Sequence, residues 1–569
     1  MRHHKKLIIG VLLSLLVSMP MLLEACGGPT SPGTTGSPQA APADKQVFRY
    51  PIGNSDFITL DPALTQYSNS IYALKALFSG LVGLNDKGEV VDLLAASHTI
   101  SPDKLTYTFM LRDGLKFSDG SPLTAEDVIY SINRTIDPAT RSEVSFYLDL
   151  IKGYDDFQGG KVKTLIGSSL LAPDPQTVKI TLSRPAGYFL ATLTYLSSFT
   201  VNKKLIDKYG NKWTDHMQEG GTCGPFKVES YSHTTGLIAV PDPNYFGEKP
   251  KLQRVEFLQS GDADVAYKAY LAGQFDYAAV PPVNLAEAKT RADFRSVAEL
   301  NTWYLALNYL TKPFDTIKIR QAFALAINKD LLNQSVNRGA HKPTNNIIPP
   351  GAPGYNQNIK GVDGTSSSAG NPERAKQLFA EGLREAGYAS ASALPPISFT
   401  NRNQKLANDI ASAIVEQWKN VLGVSVKIQV YEIAKFNDLL IAAKDNPKGI
   451  QLWFAGWGQD YPDPQDWLSV FFAKDISNNQ FNYGQNTSST AAQQQTVQQQ
   501  LAETDANPDQ NARLAAYQDA EQKIINDVGW VPLYHRNINR LINTKVVNYD
   551  LNGYDNLSAQ AWTKIYIAQ

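Results

Sequence analysis

The sequence is poor in cysteine, in histidine and in charge. Its 569 residues include two cysteines, seven histidines and only 19% charged side chains. Two cysteines, Cys26 and Cys223, permit one disulfide at most, which excludes a disulfide-stapled scaffold. Basic residues (53) almost balance acidic ones (54), so the basic excess of a nucleic-acid binder is missing. The histidines beyond the amino terminus, His98, His216, His233, His341 and His535, show no paired metal-ligand spacing. No Gly-x-Ser-x-Gly elbow and no phosphate-cradling loop occurs, so hydrolase and nucleotide chemistries lack residues. Asp460 and Asp463 do not make a glycosidase pair. They lie in one proline-bound loop, whereas such carboxylates face each other across a bond at about 5 Å or more. No enzyme, metal or cofactor is expected.

What is present is bulk and aromatic surface. The length points to two or three domains, and 43% hydrophobic residues can fill substantial cores. Aromatics reach 10% through 27 Tyr, 23 Phe and 8 Trp, which suits both large cores and ligand walls. At the amino terminus Arg2, Lys5 and Lys6 precede an apolar run from Leu7 to Leu23. A positive start and a short apolar stretch describe a secretory signal, residues 1–25, rather than a spanning helix. The run ends at Leu23-Glu24-Ala25-Cys26, which resembles a bacterial lipoprotein processing site, with Glu24 as a departure. Lipid on Cys26 would anchor the chain at a membrane and leave Cys223 without a partner. Residues 26–46, rich in Gly, Pro, Ser and Thr, read as a flexible tether. No later segment approaches the ~20 apolar residues of a membrane span. The expected product is extracytoplasmic and anchored at one end.

Folding is expected from about Val47. Thr106 to Leu111 and Val178 to Leu182 read as strands, and Asp113-Gly114 and Asp119-Gly120 as turns. Thr124-Ala125-Glu126-Asp127 has the form of a helix cap. Asn371-Pro372 opens a helix that Gly387 closes, and Leu406, Ile410, Ile414, Trp418 and Leu422 mark another, ending at Gly423. Val424 to Val430 alternates as a strand, a helix follows near Phe436 to Ala443, and Ile450 to Phe454 is a further strand. Helices over a sheet are thus expected. The run Gln493 to Gln500 reads as an exposed helix start.

Several blocks resemble the solute-binding proteins of oligopeptide and dipeptide ABC importers (bacterial extracellular solute-binding proteins, family 5). They are Ser101-Pro102-Asp103 through Leu123-Thr124-Ala125-Glu126-Asp127-Val128, then Gly224-Pro225-Phe226 with Asn244-Tyr245-Phe246-Gly247. Arg320-Gln321-Ala322-Phe323 and Val531-Pro532-Leu533-Tyr534 follow. Cys223 departs from the glycine that usually precedes Gly-Pro. The resemblance implies an α/β, two-lobed fold of the periplasmic-binding-protein type II class, with mixed sheets and an extra subdomain. Lobe I would span 47–308 with the subdomain at about 85–190, lobe II 309–529, and 530–569 would return to lobe I. It also implies a monomer that binds peptide, closes about a hinge, and docks on permease and ATPase subunits.

The candidate site is Trp453-Phe454-Ala455-Gly456-Trp457-Gly458-Gln459-Asp460-Tyr461, where a strand leads into a loop. Gly458 permits close backbone approach, and Trp457 and Tyr461 are candidate walls. An aspartate there, without a basic neighbour in sequence, wants a cation. In the resembling family the residue at the Asp460 position receives the peptide's α-amino group. Some members carry an arginine where this chain has Phe454; Arg402, with Asn403 beside it, is the substitute for a ligand carboxylate. Tyr67 and Asn69 are offered as walls from the first lobe. Two rival readings stand beside peptide capture: oligosaccharide binding on Trp453, Trp457 and Trp467, and a surface receptor or adhesin.

Overall fold

The structure is a computed structural model, and residues 38–65 and 67–569 are described. The signal-like run, Cys26 and most of the expected tether lie outside the described residues. From Ala40 to Gln569 the chain forms one compact unit.

The tether is shorter than expected at its carboxyl end. Ala40 bridges to Ala568, Ala41 N donates to Ile567 O at 2.8 Å, and the Gln46 amide donates to Ala41 O and Ile567 O. The segment 40–46 is therefore fastened to the last strand, because its backbone finds partners that only the distant carboxyl terminus supplies.

Three sheets carry the fold. Val47–Pro51 runs parallel to Arg254–Leu258, which continues antiparallel through Gly236–Pro241 to Phe226–Ser232. A second, antiparallel sheet is ordered Ala95–Ile100, Thr106–Leu111, Thr177–Thr181, Leu170–Asp174. One core joins these to the carboxyl terminus: Phe48, Phe226, Phe257 and Trp562 are all buried in it. The expected cap at Thr124 is a full capping box, with Thr124 N donating to Asp127 at 2.9 Å.

The third sheet has seven strands, with the long strands Phe294–Leu307 and Trp530–Ile542 antiparallel at its centre. Successive residues of a strand face opposite ways, and both faces here are covered. Leu305 and Leu307 enter a core with the helices Ile317–Leu325, Pro372–Glu385 and Lys405–Leu422. Tyr304 and Ala306 enter another with Ala491–Ala506 and Gln510–Asn526. Asn371 caps its helix and Gly387 and Gly423 take positive φ, as the sequence suggests. The glutamine run does begin a helix, and Gln493, Gln495 and Gln499 are exposed, but the other face of the run is buried. It lies inside Ala491–Ala506, where Gln494 and Gln498 are buried and bond to Asp527 and to the Tyr483 carbonyl.

Cys223 is buried and unpaired. The tight spot is its neighbour: a Cβ on Gly224 would meet the Leu77 carbonyl carbon at 2.5 Å, so the close approach needs glycine at 224 and not at 223. Among the described residues no helix is long and apolar enough to cross a membrane.

Candidate functional site

The strand expected over Ile450 to Phe454 is instead Leu452–Gly458, because it pairs antiparallel with residues 301–307 over its whole length. Trp457 and Gly458 therefore stand on a strand end, and the loop opens at Gln459. On the other side Leu452 and Trp453 pair with Phe399 and Thr400 of the parallel strand Ile397–Arg402. That strand delivers Arg402 at its last position.

The long strand Phe294–Leu307 changes register against Trp530–Ile542 between Ala298 and Thr302. Such an irregularity frees residues from the ladder and re-aims their side chains. Here it turns Glu299 and Asn301 into a cavity of about 820 Å³. Leu300, between them, uses its backbone differently. Its N–H donates to Gly553 O and its carbonyl accepts from Gln459 N, both at 2.8 Å.

Asp460, Trp457, Gly458, Arg402, Tyr67 and Asn69 all line this cavity. Tyr461 and Asn403 do not. Tyr461 is 2% exposed in the first core, its ring 5.9 Å from that of Tyr147, and its hydroxyl bonds Gln465. The loop turns it inward, and it is a packing residue. Asn403 is exposed and donates to Glu432 at 2.7 Å, beyond the strand end. Two of the three tryptophans suggested for sugar faces, Trp453 and Trp467, are fully buried, which leaves Trp457 alone of them at the cavity. Asp463 caps a short helix and pairs with Arg513 at 2.7 Å.

Asp460 is half-buried and receives the hydroxyl of Tyr147. Its backbone N–H donates to the carboxylate of Asp466 at 2.7 Å, and Asp466 is fully buried. Burial pushes the Asp460 carboxyl up to about 7, with the Tyr147 hydroxyl and the nearby Lys75 ammonium pulling it down. Burial, reinforced by Asp460, holds Asp466 well above the ordinary carboxylate range. Lys75 bonds Asn556 at 2.8 Å, and burial lowers it to about 8. The cavity wall at Asp460 thus carries a carboxylate whose ionised form is short of counter-charge.

In the same cavity Arg402 has no carboxylate within ion-pair distance among the described residues, and its buried Nε–H finds no acceptor. Arg536, nearby, binds Glu299 at 3.1 Å, and Arg540 pairs with Asp555. The sequence alone does not mark Lys75, Tyr147, Glu299, Asn301, Trp303, Arg536 or Asp466. Asp466 had a signal in the spacing Asp460, Asp463, Asp466; the others come from distant segments. Among the described residues no cluster of His, Cys, Asp and Glu is placed to hold a metal.

The cavity is equipped to hold a charged solute between aromatic walls, which is the work of a solute-binding protein. The profile of the bacterial extracellular solute-binding proteins, family 5 Middle, matches residues 89–479, and the chain belongs to that family. The oligopeptide-binding protein OppA of Bacillus subtilis (strain 168) is 26% identical over 531 residues, 92% of this chain and 93% of the relative. A dipeptide-binding protein of Escherichia coli (strain K12) is 31% identical over 409 residues, 69% of this chain and 72% of the relative. The unliganded open form of the periplasmic murein tripeptide-binding protein MppA superposes with a TM-score of 0.73 at 26% identity. It covers 94% of this chain, and the match covers 99% of that one. The two-lobed α/β fold is shared with these structures.

Proposed function

We propose that the chain is the substrate-binding lipoprotein of an ABC importer, capturing oligopeptides or dipeptides between two lobes. Asp460 carries this reading. Its desolvated carboxylate lines a cavity of about 820 Å³ with no arginine or lysine in ion-pair contact among the described residues. A peptide's α-ammonium supplies the missing charge, and Tyr147 stays as a second contact. Arg402 receives the ligand's carboxylate, and Trp457, Tyr67 and Asn69 form walls. The names of the relatives, oligopeptide-binding and dipeptide-binding proteins, support the same solute class.

In this reading residues 47–308 form lobe I with a subdomain at about 85–190, 309–529 form lobe II, and 530–569 return to lobe I. Packing of Trp562 with Phe48 and Phe257 supports the return. Closure over the peptide presents the lobes to a permease, and a partner ATPase supplies the energy. Lipid on Cys26 holds the monomer at the periplasmic or outer face of the cytoplasmic membrane. The protein breaks no bond and uses no cofactor or nucleic acid.

A thermal-shift screen of the chain from Ala40 tests this with di- to pentapeptides, their N-acetylated forms and cello-oligosaccharides. A ligand at 100 times its Kd stabilises by about 2.7 kcal/mol, a readable shift. Free peptides are expected to raise the Tm and acetylated ones not to. A shift with sugars alone would overturn the peptide reading.

A further inference from the structure

Arg402 sits on a platform that the sequence alone does not reveal. Its guanidinium carbon lies 4.8 Å from the centroid of the Trp303 ring. Trp303 in turn lies on Gly456, its cross-strand partner. A Cβ at 456 would come within 2.7 Å of two indole ring atoms, so only glycine lets the ring lie there. Phe454 packs against the same indole with centroids 4.9 Å apart, and Tyr534 with centroids 6.4 Å apart and planes at 18°. The result is a layered stack of Gly456, Trp303 and Arg402, with Phe454 as a flank.

This stack explains how the chain does without a basic residue at 454. An arginine there would share a face of the sheet with Leu305, inside a core. Arg402 instead enters from the neighbouring parallel strand and sits over the indole face, a favourable arrangement for a guanidinium. Held there it faces the cavity with no ionic partner among the described residues. Arg536, whose positive charge disfavours that of Arg402, is itself held by Glu299 at 3.1 Å. Two buried donors of this corner, Arg402 Nε–H and Trp303 Nε1–H, lack acceptors. An anion bound here would find both a positive charge and free donors.

We infer that Trp303 and Gly456 are positioning residues for carboxylate recognition: they hold the Arg402 guanidinium where it selects ligands with a free carboxyl terminus. The inference rests on the peptide reading and deepens it. Trp303 touches Arg402 and not, in this role, the ligand.

The test is calorimetric titration of the chain from Ala40 with alanine di-, tri- and tetrapeptides, each as free acid, carboxamide and N-acetyl derivative. The wild type is expected to bind free acids at least tenfold tighter than carboxamides. Arg402→Gln brings that ratio to about one. Gly456→Ala and Trp303→Leu reduce it several-fold, while Trp303→Phe, which keeps a flat ring, retains most of it. The penalty for N-acetylation stays the same in every variant, because Asp460 is untouched. A ratio that survives in both Gly456→Ala and Trp303→Leu overturns the inference, as does a wild type indifferent to carboxamidation. If that wild type still rejects acetylated peptides, the peptide reading stands without it. If no peptide binds the wild type, the reading and the inference fall together. Should Trp303→Leu not fold, the ligand-free melting curve shows it, and Gly456→Ala with Trp303→Phe decides.

Discussion

Tyr147 donates its hydroxyl to the carboxylate of Asp460 across 313 residues of sequence. One side chain comes from the region of the second sheet and the other from a loop of the seven-stranded sheet. The bond satisfies one lone pair of Asp460 and brings no charge, so the carboxylate keeps its need for a cation.

Replacing Asp460 with Asn removes that charge at nearly constant volume. Loss of one partner of a desolvated pair costs about 3–5 kcal/mol, or roughly two to three and a half decades in Kd. Peptide titration of Asp460→Asn is expected to show this loss, with the ligand-free Tm unchanged or raised. Wild-type affinity in the variant would remove Asp460 from the site.

The same carboxyl sets a pH dependence. Its pKa in the ligand-free fold, about 7, lies above the ordinary 3.8, so between these values the folded state binds more protons than the unfolded one. This contribution to ligand-free stability therefore falls as pH rises from about 4 to about 7. Peptide binding requires the ionised form and should weaken as pH drops below about 7. At pH 6 calorimetry in buffers of different ionisation enthalpy should detect proton release on binding. Affinity flat from pH 5 to 7.5 would contradict it.

Asp463 should behave in the opposite manner to Asp460. It is buried and paired with Arg513 at 2.7 Å, fastening the site loop to the helix Gln510–Asn526. Asp463→Ala leaves a buried guanidinium unpaired, which costs about 3–5 kcal/mol. A clear fall in ligand-free Tm is the expected outcome, and an unchanged melting curve would speak against the pair.

Peptide length has a limit for dual anchoring. The Arg402 guanidinium stands over Trp303, which lies opposite Gly456, four residues before Asp460. At ~3.3 Å per residue the backbone positions 456 and 460 are at most about 13 Å apart, so the two charges are taken to be separated by a span on the order of four extended residues. The preference for free acid over carboxamide should hold for peptides up to tetra-alanine and fade in penta- and hexa-alanine, as a titration series would show.

The sequence carried what is local. Asn371-Pro372, the capping box at Thr124 and the stripe from Leu406 to Leu422 each hold their signal within a few residues, and each became the expected element. The position of Asp460 was legible because the motif around it is contiguous. The sequence shows only the first half of the strand Leu452–Gly458, since its last residues are strand only through pairing with residues 301–304. Tyr461 looked like a wall because an aromatic in a loop gives no sign of which way it turns. Trp303 and Tyr147 were invisible as site residues, because nothing near them in sequence records what packs on them.

The backbone of Leu300 holds Gly553 by its N–H and Gln459 by its carbonyl, and the Gln459 amide reaches the hydroxyl of Tyr554. Gln459, Tyr554, Lys75 and Asn556 also line a neighbouring cavity of about 870 Å³. The Leu300 backbone thus ties the loop at Gln459 to the segment at Gly553, and residues of both segments line both cavities. Any movement that draws Gln459 away from Gly553 must therefore break at least one of the two backbone hydrogen bonds that meet at Leu300.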